Sequence, residues 1–201
     1  MIIRGWAAAA AVVLGVTLLA GCSDDDPQGG ASQLHTPTTG PSTSPASTAS
    51  PTTTTSVEAA YARVPTAARA HTYAGAQAFA EFYVAQINRA WTTPDPEALR
   101  SYGTSTCLSC DNYVRTAASM KSDGERYDGD AVKLTAAAWL PESRPNLAIV
   151  SVLATAIPAP IVNSLGSTVG HGESGPNESE FQLAWSSGRW HVTSIKLVVV
   201  K

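Results

Sequence analysis

Apolar residues between positions 72 and 124 follow a helical period, and those after position 131 follow a strand period. Phe79, Tyr83, Ile87 and Ala90 recur at steps of four, four and three, with Ala76 and Ala80 on the same side, so they predict one buried helix face. Thr72 is placed to cap that helix. Pro94 ends it near Trp91, because proline cannot continue the ladder and disfavours helical geometry at Thr93. Asp95-Pro96-Glu97 then restarts a helix with a capping acid, a proline at the first helical position and an acid in the first turn, and Leu99 and Tyr102 give it an apolar side. A third helix is expected from about Thr106 through Tyr113, Val114, Ala117 and Met120, closing at Gly124 in a left-handed cap.

From Ala131 to Leu140, Val132, Leu134, Ala136 and Ala138 alternate with Lys133 and Thr135, which predicts a strand closing at Pro141. Asn146 to Ile157 is denser in branched residues and reads as a central strand. Phe181, Leu183 and Trp185 alternate, Ser186-Ser187-Gly188 makes a tight turn, and Trp190, Val192, Ile195 and Leu197 complete a hairpin whose change of phase implies a bulge. Pro158 to Asn177 is weakly patterned. Ile161-Val162 and Thr168-Val169 suggest a ragged hairpin, followed by a loop carrying Gly170, Gly172 and Gly175. The order of elements gives an α+β domain over residues 71–201, N-terminal helices packed on a curved antiparallel sheet.

Upstream the pattern changes character. Arg4 precedes a 15-residue apolar run from Trp6 to Ala20, which reads as a secretory signal spanning residues 1–21 and is shorter than a membrane-spanning helix requires. Leu19-Ala20-Gly21-Cys22 resembles the lipobox of bacterial lipoproteins. That resemblance implies cleavage after Gly21, a diacylglycerol on the Cys22 thiol and acylation (a palmitate-type modification) of the new amino group. The expected location is therefore the extracytoplasmic face of the cell membrane, held by lipid at Cys22. Thr36 to Ser56 is 21 residues of which 18 are Thr, Ser or Pro, with nothing to bury, so residues 22–70 are expected to form a disordered stalk that the fold can dispense with. Such a stalk is also a candidate for glycosylation.

Charge and composition narrow the partners. The chain has a net charge of -3, and residues 72–201 hold 10 Lys and Arg against 12 Asp and Glu without a basic stripe, which argues against nucleic acid. His35, His71, His171 and His191 are scattered without zinc-type spacing, so no metal site and no cofactor is expected. Gly170-His171-Gly172-Glu173-Ser174-Gly175 misses the spacing of a nucleophile elbow and reads as a loop.

Three helices followed by an antiparallel meander with a Trp-rich terminal hairpin resemble the cone-shaped nuclear-transport-factor-two-like (SnoaL-like, cystatin-related) fold. The run Gly75 to Val84, then Asn88-Arg89-Ala90-Trp91, Pro94-Asp95-Pro96, Leu99-Arg100, Cys107-Leu108-Ser109-Cys110 and Gly188-Arg189-Trp190, is similar to an actinobacterial lipoprotein family of unknown function. That family carries no established activity, so the resemblance transfers no catalytic residues.

Cys107 and Cys110 form the only Cys-x-x-Cys, and with Cys22 lipidated they are the one pair in a chain sent to an oxidising compartment. A structural disulfide is expected ahead of a redox dithiol, because thioredoxin-type chemistry needs a strand feeding the helix and here helices precede it. Acid-base catalysis of the ketosteroid isomerase kind needs a base in the cavity, yet the core strand stretches carry no carboxylate; Glu81, Asp111, Tyr83 and Tyr113 sit on helices and His191 is out of phase with Trp190 and Val192. Phe79, Tyr83, Trp139, Trp185 and Trp190 are candidate pocket lining and equally what a core is made of. Three functions stay open: a membrane-anchored, non-catalytic binding or interaction module with an extracytoplasmic protein partner; a small extracytoplasmic enzyme or carrier for an apolar small molecule, favoured by a cavity holding a carboxylate; and a Cys-x-x-Cys redox protein.

Overall fold

In the computed structural model, which describes residues 58–198, a helical turn at 58–61, a 3-10 turn and three α-helices from Tyr73 onward precede two antiparallel sheets. Helix α1 (Tyr73–Thr92) starts at Thr72, whose hydroxyl accepts the Gly75 N–H at 3.0 Å, and it ends before Pro94. Its Phe79, Tyr83, Ile87 and Ala90 are all buried, so the face predicted from periodicity is the packed one. Asp95 accepts the Glu97 N–H at 3.2 Å at the start of α2 (Glu97–Arg100), and Tyr102 beyond it meets Phe79 and Phe82 edge-on. Helix α3 (Leu108–Asp123) closes on Gly124 at φ 67°, the left-handed cap the sequence suggests.

Cys107 caps α3 with extended backbone, its sulfur accepting the Cys110 N–H at 3.2 Å, and the two cysteines form a disulfide. The Cα atoms are 5.2 Å apart, inside the range that disulfides accept. The residues are 1% and 4% exposed. A redox dithiol needs a reachable attacking sulfur, so this burial favours a staple, and a ring so small contributes about 2 kcal/mol.

The main sheet runs in the order β2-β3-β6-β7, all antiparallel: β2 (Val132–Trp139), β3 (Leu147–Ala156), β6 (Gly175–Ser186) and β7 (Arg189–Leu197). Strand β3 is central, as its branched residues suggest, and Val150, Val152, Phe181, Leu183, Trp190 and Val192 form the buried face under α1. Ser187 and Gly188 at φ 51° and 75° make the two-residue β6–β7 turn. The expected bulge in that hairpin falls between Gln182 and Leu183, which leaves Thr193 as the extra residue. Ile195 is buried beyond it. Leu197, predicted to share its face, is 69% exposed, lying past the point where Ser109 of α3 donates to the Ile195 carbonyl at 2.7 Å.

The structure departs from the sequence pattern in three places. A second bulge between Leu134 and Ala136 reverses the phase of β2, so Ala137 turns toward the core while Ala136 and Ala138 face solvent. Strand β6 begins at Gly175 rather than near Phe181, pairing along the whole of β3. Its upstream inner positions, Asn177 and Ser179, are polar, and so the apolar alternation that marks a strand is missing there. The weak segment does hold the hairpin, β4 (Pro160–Val162) with β5 (Thr168–His171), and β1 (Arg126–Tyr127) joins it in a second sheet of order β1-β4-β5.

The third departure is the domain boundary expected at residue 71. Val64 and Ala68 are 1% and 0% exposed and belong to the core, around a short 3-10 turn at Thr66–Arg69. The Tyr102 hydroxyl donates to the Ala60 carbonyl at 2.8 Å, and Trp190 Nε1 donates to the Ala70 carbonyl at 2.9 Å. Chain and helix pass so closely that a Cβ on Gly75 would lie 2.1 Å from the Ala70 oxygen, which explains a glycine in the first turn of α1. The expected signal, Cys22 and the Thr/Ser/Pro stretch lie outside the described residues.

Candidate ligand-binding cavity

Val84, Ile87 and Trp91 follow one another at steps of three and four on α1, and the part of the sheet beneath them carries small residues, Ala131, Ala154 and Ala156. Bulky side chains fill the other end of the sheet, where Leu183 and Trp190 are fully packed. The mismatch leaves a cavity of about 620 Å³ between α1, α3 and the inner sheet face, with Val152 and Phe181 on its floor. That volume falls within the range of about 300–1,000 Å³ typical of small-molecule sites.

Aromatic side chains collect at one end. Trp91 lies edge-on to Tyr113 at 5.8 Å and nearly parallel to Tyr127 at 5.7 Å, and its Nε1 donates to the Tyr113 carbonyl at 3.3 Å. Tyr127 fits because residue 172 is glycine: a Cβ there would stand 2.8 Å from the Tyr127 ring. Polar groups come from Asn112 and Thr116, one turn apart on α3, and from Asn177 and Ser179, two apart on β6, with the Ser179 hydroxyl donating to Asn177 Oδ1 at 2.7 Å. Glu173 lines the cavity from the exposed β5–β6 connection.

Burial pushes the Tyr113 phenol above its ordinary pKa, and it pushes Tyr127 the same way with help from the Glu173 carboxylate. Tyr83 stands next to them, its phenol raised strongly by burial and further by Tyr113, and its buried hydroxyl has no partner among the described residues. All three phenols are therefore neutral donors at physiological pH.

The five aromatic residues suggested as pocket lining do not border this cavity. Phe79 and Tyr83 are core residues, and Trp190 is 2% exposed between Trp185 and His71. Trp185 stacks on His71 at 4.4 Å, while Trp139 stacks on Tyr73 at 5.1 Å and is 44% exposed at the end of β2. Trp190 borders a surface groove of about 270 Å³ with Tyr73 and Arg144. The helical carboxylates are elsewhere too: Glu81 accepts from Gln77 at 3.2 Å and Asp111 lies 3.4 Å from Arg115. His191 is half-buried on the outer sheet face, its pKa lowered by burial and then by Arg189. Of the groups the sequence singles out on helices, Tyr113 does line the cavity, and Trp91 of α1 joins it, while Tyr127 and Glu173 come from segments without a periodic pattern. The one legible signal was a cluster of glycines beside a lone acid.

Among the described residues no three His, Cys, Asp or Glu converge as metal ligands, and no helix is long and apolar enough to cross a membrane. No curated protein matches the sequence. Solved structures similar to it include the intermembrane-space region of the chloroplast protein ARC6, at 13% identity and TM-score 0.45 over 62% of this chain and 97% of that one. A protein of unknown function with a cystatin-like fold from Nostoc punctiforme is similar at 12% identity and TM-score 0.38, over 59% and 86%. An uncharacterized cystatin-like-fold protein from Caulobacter vibrioides gives 12% and 0.39, over 60% and 87%. A family model described as a family of unknown function, DUF6318, matches residues 44–196.

Proposed function

We propose, from the premise that the chain belongs to this family of unknown function (DUF6318), that it is an extracytoplasmic small-molecule-binding lipoprotein that carries its ligand without turning it over. The cavity carries this reading: about 620 Å³, walled mainly by aliphatic and aromatic side chains, with a few hydroxyls and amides to orient an occupant. Binding is preferred to catalysis because the cavity brings together phenol donors and amides but seats no carboxylate in its interior; Glu173 lies at the exposed rim, and proton abstraction needs a base at the reacting carbon. The redox alternative loses support from the burial of both sulfurs.

Filling the cavity tests the reading. Ala154→Phe places a ring in the space over β3, and it is expected to abolish the fluorescence enhancement of phenylnaphthylamine, a neutral apolar probe, while circular dichroism stays unchanged. Wild-type protein that fails to enhance the probe, or a filled variant that enhances it equally, would overturn the proposal.

The anchor is the second part. The 15-residue apolar run and Leu19-Ala20-Gly21-Cys22 support lipidation at Cys22, and two acyl chains suffice for stable attachment, at about 0.8 kcal/mol per buried methylene. Replacing Cys22 with Ala is expected to shift the protein from the detergent phase to the aqueous phase in cloud-point partitioning, or to leave the leader uncleaved. Normal processing with retention in detergent would refute the anchor.

A further inference from the structure

The charge on the cavity's lining is one-sided. Its lining includes one carboxylate, Glu173, and no lysine, arginine or histidine. The nearby guanidinium groups each have a carboxylate partner, Arg126 pairing with Asp128 at 3.2 Å and Arg115 lying 3.4 Å from Asp111 while also donating to the lining amide of Asn112. Asp128 and Asp130 flank the lining residues Tyr127 and Ala131 along the chain, and Asp130 has no ion pair among the described residues. Glu173 itself has no cationic partner there. A fatty acid or a phosphate ester would bring a second negative charge beside Glu173 with no cationic side chain in the lining to meet it.

The neighbouring aromatic groups point the same way. Trp91 and Tyr127 lie nearly parallel and Tyr113 stands edge-on to Trp91, so three aromatic rings and a carboxylate gather at one end of the cavity. Ring faces are negative and attract cations, and desolvation behind them strengthens the attraction.

We infer that the cavity takes an amphipathic amine, with its apolar body over Val152, Ala154 and Phe181 and its cationic nitrogen at the rim between Glu173 and the Trp91–Tyr127 pair. This rests on the ligand-binding reading above and names the ligand class for that site. Glu173 supplies most of the charge preference, and the apolar floor supplies the affinity that all ligands of the same chain length share.

Three probes of equal chain length separate the two claims: dodecylamine, dodecanol and dodecanoate, each titrated calorimetrically below its micelle concentration into the full chain carrying Cys22→Ala. The amine is expected to bind roughly tenfold more tightly than the alcohol, with the carboxylate weakest. Glu173→Gln is expected to remove most of the amine's advantage over the alcohol and to leave the alcohol unchanged. A carboxylate that binds as tightly as the amine, or a Glu173→Gln variant that weakens amine and alcohol equally, overturns the charge assignment while leaving the ligand-binding reading in place. If none of the three binds, the ligand-binding reading fails and this inference with it.

Discussion

A chain that begins at Thr72 is expected to be about 3 kcal/mol less stable than one that begins at Glu58, a large fraction of the margin of a small domain. The loss comes from the packing of residues 60–70. Burying Val64 is worth about 2 kcal/mol, and the Tyr102 and Trp190 donors each lose a carbonyl partner worth about 1 kcal/mol. The ordering entropy released by removing the segment offsets part of this sum. Urea denaturation of the two chains measures the difference, and coincident midpoints would show that the segment packs without stabilising. The effect matters for the site as well, since Ala70 meets the first turn of α1, the helix that roofs the cavity.

Replacing Asn88 with Ala is expected to cost about 3 kcal/mol, an effect out of proportion to a residue near the sheet edge. Asn88 is 8% exposed on α1 and makes three bonds to one strand: its Nδ2 donates to the Val132 carbonyl at 2.7 Å, and its Oδ1 accepts the N–H groups of Ala131 and Val132 at 3.1 and 3.0 Å. These groups lie at the start of the edge strand β2, where among the described residues no further strand pairs with them, so truncation leaves two donors and an acceptor partly buried without partners. Asn88→Asp is expected to fall between wild type and Ala: a carboxylate keeps both N–H bonds but faces the Val132 oxygen without a proton to offer. Equilibrium unfolding reads both values. An Ala variant within error of wild type would show that water replaces the amide. Because Ala131 and Val132 also line the cavity, the Ala variant is expected to bind the apolar probe less tightly as well.

Local rules read from the chain settled much of the fold. Phe79, Tyr83, Ile87 and Ala90 identify the packed face of α1 because helical spacing alone decides which side chains can share a face. Thr72, Asp95, Gly124 and the Ser187-Gly188 turn mark ends of elements through chemistry confined to a few neighbouring residues. Tertiary structure decided what depends on residues distant in sequence. Val64 and Ala68 look like the end of a linker until Tyr102 and Trp190, contributed from far along the chain, give that segment partners. Asn177 and Ser179 hide a strand because they face a cavity rather than a core, and hydrophobic alternation records contact with a core only. The cavity itself is a difference between volumes: alanines at 131, 154 and 156 lie opposite Val84, Ile87 and Trp91, and neither set reports the gap until the fold places them face to face.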